Sequence, residues 1–312
     1  MTTIRKINMV KESRPTLEGA GVHLRRGFGF GETSLFDPFL LFDDFRGDDP
    51  EKYIKGFPWH PHRGIETITY MLKGMVAHGD SMGNSGTIGE GDVQWMTAGS
   101  GIIHQEMPQG DPQGRMYGFQ LWANLPRSNK MMKPRYQEVK WDQIPEVALP
   151  DGVKVRVICG MVDGTKGPVE DIVTEPEYVD VTVPAKTSYS HPTVAGHTVI
   201  AYVIYGDGQF SQDDDANPVG SQKAGAFQFD AGDRLYSNLQ PPRYLGNHSL
   251  VVFSDGDEVQ VTAGETGLRF LLFSGKPIKE PVAWNGPIVM NTNEELRKAY
   301  EELQNGTFIK KD

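Results

Sequence analysis

Cysteine is nearly absent from this 312-residue chain: Cys159, inside the apolar stretch "VKVRVICGMV", is the one thiol. No intrachain disulfide can form, as suits a reducing compartment, and a lone small side chain in such a run reads as buried packing. Basic blocks are missing as well. With a formal net charge of −10 and no Lys/Arg run able to track a phosphate backbone, direct nucleic-acid binding is disfavoured, whereas a protein partner is not. Long hydrophobic runs are also lacking. "MTTIRKINMVKESRP" has no apolar core of signal-peptide length, and "TVIAYVIYG" falls far short of the roughly 20 residues of a membrane span, so the sequence reads as soluble and cytoplasmic. Helical periodicity is confined to "TNEELRKAYEELQNG". There Thr292 and Glu295 form a capping box, Leu296, Ala299, Tyr300 and Leu303 make one stripe, and Gly306 ends the helix.

Glycine (36) and proline (21) are plentiful, and short Val, Ile, Thr and Tyr runs broken by Gly-Asp and Asp-Gly pairs predict a mostly β protein. The length suits about two domains. Dense strand-and-turn rhythm over 57–125 is broken by "NLPRSNKMMKPRYQEV", resumes over about 150–275, and gives way to an extended tail, "GKPIKEPVAWNGP". The expected division is therefore 1–135, 136–290 and a helix with its tail over 291–312. An internal repeat supports one fold used twice: "GDVQWMTAG" (91–99) matches "GDEVQVTAG" (256–264), and "TITYMLKG", ending at Gly74, matches "TVIAYVIYG", ending at Gly206. In "PFLLFDDFRG", neighbours on a strand point to opposite faces, so Asp43 and Asp44 read as turn and salt-bridge groups rather than a carboxylate pair, and Arg25 and Arg26 alike.

The chemistry centres on "FPWHPHRGIETITYMLKG" (57–74). On a strand, His60 and His62 share a face roughly 6–7 Å apart at their α-carbons, so both imidazoles can tilt onto one ion. "GSGIIHQEMPQG" repeats the spacing with His104 and Glu106. Should the two strands be neighbours facing a barrel interior, three imidazoles and one carboxylate converge on Fe(II), Mn, Ni, Cu or Zn with two positions open, as in non-haem iron oxygenases. Glu66 competes for the carboxylate role. On a straight strand it lies roughly 13 Å beyond His62, so Glu106 is the expected ligand and Glu66 is expected to steady an imidazole or a substrate group. His78, in the loop-like "VAHGD", is expected in solvent, with a pocket rim as the alternative.

These residues resemble the cupin motifs, with departures: three residues rather than five separate Gly56 from His60, seven rather than six separate Glu66 from Gly74, and "TAGSGIIH" replaces the usual Pro-x-Gly before the histidine. Together with "GDVQWMTAGSGIIHQEMP", "PFLLFDDFRG" and "FLLFSGKPIKEPVAWNGPIVMNT", the chain resembles the pirin family within the cupins over nearly its whole length. The resemblance implies two stacked cupin β-barrels, with iron or a related divalent metal in the N-terminal one. Carried over, the ligands are His60, His62, His104 and Glu106, the same four that spacing selects.

It also implies two roles. One is a metal-dependent 2,3-dioxygenase that cleaves flavonols such as quercetin with O2, Glu106 or Glu66 accepting the proton of the metal-bound 3-hydroxyl, with Trp59, Met96, Ile102, Phe119 and Trp122 as candidate pocket walls. The other is a redox-sensitive iron protein that modulates a transcriptional or metabolic regulator. By the repeat, His60, His62, His104 and Glu106 map to Pro192, Val194, Arg269 and Leu271, with His191 and His197 off the pattern. The second barrel is expected to be structural or partner-binding.

Overall fold

The computed structural model describes residues 2–211 and 244–310; part of the strand-rich stretch 150–275, residues 212–243, lies outside them. The described chain is mostly strand, with a C-terminal helix, Asn293–Gln304, capped by Thr292 and Glu295 as the sequence predicts. Contacts divide it into two compact units that interleave in sequence rather than following 1–135, 136–290 and 291–312 end to end. One comprises Met1–Ser13, Pro145–Gly167 and Pro176–Lys276; the other comprises Arg14–Ile144, Pro168–Glu175 and Pro277–Asp312. The cause of the first crossing is visible: Ile7–Glu12 pairs antiparallel with Ser249–Phe253 and so completes the sheet of the later unit.

The unit that carries the histidines holds a seven-stranded antiparallel sheet in the order Arg135–Val139, Val93–Thr97, Ile65–Lys73, Tyr117–Asn124, Phe39–Asp44, Val22–Phe28, Arg14–Glu18. A four-stranded sheet runs Phe57–His62, Ile102–Gln109, Met75–Asp80, Ser85–Ile88. Ile65–Lys73 sits centrally in its sheet, and all its residues through Met71 are buried, as a β-branched run covered on both faces should be. Phe39–Asp44 is wholly buried. Arg26 forks onto Asp43 at 2.8 and 2.7 Å and Arg46 reaches Asp44, so both aspartates are ion-pair groups at a strand end rather than in a turn.

The other unit is a nine-stranded sheet whose 18-residue strand Glu258–Gly275 pairs with Ser188–Pro192 and then Glu177–Val183 in succession, and with Thr198–Phe210 along most of its length. Its core is a valine-rich cluster that includes Val155, Val181, Val203 and Phe270. Cys159 is buried in the same unit, its thiol donating to Pro176 O. The repeat has a structural counterpart: in each unit the strand after the Gly-Asp turn is the hydrogen-bonded neighbour of the strand bearing Tyr70 or Tyr202. At the mapped positions, Arg269 is forked onto Asp180 at 2.9 and 2.6 Å, Leu271 is buried core and Val194 is exposed. His191 is bonded to Tyr189 and Glu177. Among the described residues, no helix is long and apolar enough to cross a membrane.

Candidate metal centre

Pro58 and Pro61 each remove a backbone donor, which a sheet border tolerates, and Phe57–His62 is the outermost strand of the four-stranded sheet. Its alternation turns Trp59 outward, 56% exposed, and His60 and His62 inward. The neighbouring strand Ile102–Gln109 runs antiparallel with His104 opposite His60 and Ile102 opposite His62. The spacing-based expectation of two neighbouring pairs therefore describes the register found. One nitrogen from each of His60, His62 and His104 falls within 4.8 Å of the others.

The hydrogen bonds fix what those nitrogens can do. His60 Nδ1 faces Pro58 O at 2.8 Å and His62 Nδ1 faces Pro287 O at 3.1 Å. A carbonyl only accepts, so both Nδ1 atoms donate and each Nε2 is left with a lone pair. The two Nε2 atoms lie 3.0 Å apart. Lone pairs at that distance repel unless a proton or another cation lies between them. Burial lowers the pKa of His60 and holds His62 well below the usual imidazole range, which disfavours the proton. His104, also held well below by burial and by its neighbouring histidines, has a buried Nε2 with no hydrogen-bond partner. Neutral imidazoles with converging, unsatisfied lone pairs fit a borderline divalent metal.

Glu106 shares the His104 face, but its carboxylate is not among the group within 4.8 Å. A register shift between His104 and Glu106 sets it opposite Phe57. Its Oε1 accepts from Thr69 Oγ1 at 3.2 Å, although Thr69 has one hydrogen to share with Gln120 Oε1 at 2.9 Å. Beside it lies a cavity of about 20 Å³ lined mainly by apolar side chains, Phe45, Phe57, Val76, Pro108 and Met116 among them. Desolvation there pushes the Glu106 carboxyl up to about 7, against the opposing Thr69 bond.

The structure does not bring Glu66 to the histidines. On Ile65–Lys73 it alternates with Thr67 and Thr69, and Thr69 is the residue that meets Glu106. Glu66 therefore projects to the other face of its sheet, where it accepts from Thr97 Oγ1 at 2.7 Å. His78 corrects the expectation drawn from "VAHGD": it is buried on Met75–Asp80, its ring against Tyr136 and bonded to Glu138. Of the candidate walls, Trp122 stands edge-on to His62 at 5.0 Å and packs against the cluster holding Met96 and Ile102. Trp59 faces outward, and Phe119 stacks on Phe42 at 5.8 Å, on the face of its strand opposite Trp122 and Gln120.

The tail supplies what sequence reasoning missed. "AWNGPIVM" is a hairpin, Ala283–Asn285 with Ile288–Met290, turned at Gly286–Pro287, where the positive φ of Gly286, +53°, opens the turn. It places the Pro287 carbonyl on His62 and Trp284 beside Trp122, ring centroids 6.0 Å apart. Gly64 admits it: with φ at +77°, a Cβ there would stand 2.0 Å from Val289 O. Arg63, buried, anchors the adjoining segment through Glu302 at 2.8 Å and Phe308 O at 2.8 Å.

The chain matches the family model described as Pirin over residues 21–123 and the Pirin C-terminal cupin domain over 178–309. A "Pirin-like protein" of Caulobacter vibrioides is 42% identical over 306 residues, 98% of this chain and 99% of that one. Among solved structures, a quercetin 2,3-dioxygenase from Acinetobacter baumannii superposes with a TM-score of 0.79 at 28% identity, covering 98% of each chain. The bacterial pirin YhhW from Escherichia coli, in complex with nickel(II), shares the fold with a TM-score of 0.59 at 20% identity, covering 89% of this chain and 100% of that one. Two cupin domains matched in order, and a relative alike over almost its entire length, establish that this chain belongs to the pirin family.

Proposed function

We propose that His60, His62, His104 and Glu106 hold one divalent metal, Fe(II) in the first place, with Mn, Ni, Cu and Zn compatible with the same donors, and that the protein is a quercetin 2,3-dioxygenase-type enzyme acting on flavonols. The carrying observation is the 3.0 Å approach of two Nε2 lone pairs beside the unpartnered His104 Nε2, which calls for a cation. The bound metal supplies Lewis acidity, lowering the pKa of a flavonol hydroxyl at neutral pH. The chain does the rest. Pro58 O and Pro287 O keep the imidazoles in the tautomer that presents Nε2. Glu106 would give the metal one carboxylate oxygen, while the other, which accepts from Thr69, keeps a lone pair that can take up the proton of the 3-hydroxyl. Trp122 walls the site against water on the His62 side. Glu66 has no place in this chemistry because it lies on the far face of its sheet.

The name of the Acinetobacter relative supports the substrate class. The test is aerobic incubation of the iron-loaded protein with quercetin, following loss of the flavonol absorbance, oxygen uptake and carbon monoxide release, with metal content measured in parallel. One metal per chain and oxygen-coupled decay are expected. A metal-replete protein inert toward flavonols would overturn the dioxygenase reading and favour a redox-sensitive regulatory protein.

A further inference from the structure

We infer that the small apolar cavity beside Glu106 is a docking site for dioxygen, the identity of the gas resting on the dioxygenase reading above. Phe45, Phe57, Val76, Pro108 and Met116 supply its apolar lining, and Val76 stands opposite Pro108 across two paired strands. The volume is about 20 Å³. On the same measure one water needs roughly 10–15 Å³, so the space takes a molecule of two heavy atoms and excludes a ring.

Water is a poor occupant. A buried water needs two to four polar partners, and the polar groups at this cavity are engaged with one another: Thr69 Oγ1 donates to Glu106 Oε1 at 3.2 Å or to Gln120 Oε1 at 2.9 Å. The rest of the wall is carbon and the Met116 thioether. An uncharged apolar molecule gains by leaving water for such a space, and the walls gain the contacts that a void denies them, whereas water forfeits hydrogen bonds there. Position narrows the choice of gas. Two of the residues around the cavity also border the candidate metal centre: Glu106 is the proposed fourth ligand, and the Phe57 ring centroid lies 6.5 Å from that of His60. Trp122 meets the cluster elsewhere, at His62. The cavity therefore lies on the His60 and Glu106 side, where a gaseous co-substrate is held apart from the aromatic wall at Trp122.

The experiment follows the Val76 and Met116 methyl groups by NMR in the full chain loaded with zinc, which consumes no oxygen, under xenon and then under oxygen, with argon as the blank. Xenon enters dry apolar cavities, and paramagnetic oxygen speeds the relaxation of methyl groups it touches. Both methyls should shift with xenon and relax faster under oxygen than those of Val181, in the core of the other unit. Val76→Ile, whose added methylene takes up the space, should abolish both responses at Met116, and Val76→Ala should enlarge them. A molecule of two heavy atoms is held no more tightly than about 6 mM even at the efficiency of the best very small ligands, so the site fills in proportion to dissolved oxygen. In the iron-loaded protein, Val76→Ile should therefore lower kcat/KM for oxygen by roughly threefold or more, with kcat, the flavonol KM and metal content unchanged. Methyls that answer neither gas, or answer both equally in Val76→Ile, would show a packing void only and overturn the site. Turnover with kcat/KM for oxygen unchanged would also overturn it, while the enzyme reading stands. Should Val76→Ile not fold, Val76→Ala decides, and a gas response no larger than that of the unaltered protein is the refuting result. Gas responses of the expected kind in a protein inert toward flavonols would keep the gas site and remove the dioxygenase reading.

Discussion

Replacing Glu106 by Gln should stabilise the metal-free protein while weakening its hold on metal. The buried carboxyl is pushed up to about 7 from an ordinary 4.5. In the unfolded chain it ionises near the lower value, so between the two the folded state holds a proton that the unfolded state has released. Stability then falls as pH rises through that window, and the whole cost is present above about 7. At 1.36 kcal/mol per unit, the shift corresponds to about 3 kcal/mol. Gln carries no charge to desolvate and still accepts from Thr69. Metal-free Glu106→Gln should therefore exceed the unaltered protein by up to about 3 kcal/mol at pH 8, an advantage that vanishes by about pH 4. The histidines, titrating alike in both proteins, largely cancel in the comparison. Urea denaturation followed by tryptophan fluorescence is well suited, because Trp59, Trp95, Trp122, Trp141 and Trp284 all belong to the histidine-bearing unit. With metal restored the order should reverse, since Gln lacks the charge that a dication attracts. A stability difference that does not change with pH, or a metal-free variant weaker at pH 8, would refute the reasoning.

Three further changes probe the site and its supports. His62→Ala or His104→Ala should lower metal affinity by at least the roughly 10- to 100-fold typical of lost supporting groups, read by elemental analysis after dialysis; full occupancy in both would contradict the ligand assignment. Glu66→Gln should keep its metal and its turnover per metal, because the carboxylate bonds Thr97 on the far face, and stripped metal would show that Glu66 reaches the cluster. Gly64→Ala should cost about 1–3 kcal/mol from its backbone conformation alone, more with the Val289 O clash, and should raise protease cleavage within 283–290. Unchanged stability and cleavage would mean that the hairpin does not depend on that close approach.

The histidine pairs were legible because a two-residue period survives any strand, whatever its neighbours. The helix was legible because Thr292 and Glu295 cap it locally. Glu66 was not placed correctly for a specific reason: the strand ends at His62 and another begins at Ile65, so the turn at Arg63–Gly64 breaks the alternation that would relate Glu66 to the histidines. His78 looked like a loop residue beside Gly79 and Asp80. Its burial depends on a cross-strand partner, Gly86, where a Cβ would stand 2.9 Å from the imidazole. The Pro287 carbonyl has no side-chain signature, and its role is set by a contact made far along the chain.

That contact has a timing. The carbonyl that holds His62 Nδ1 is made 225 residues after the histidine itself. At roughly 5–20 residues per second, synthesis takes on the order of ten to fifty seconds to cover the gap. All three histidines exist early in that interval, but His62 is free to rotate and to change tautomer until the hairpin arrives. On the proposed metal-centre reading, a cation would therefore meet a fully ordered set of imidazoles only after the hairpin has closed on His62.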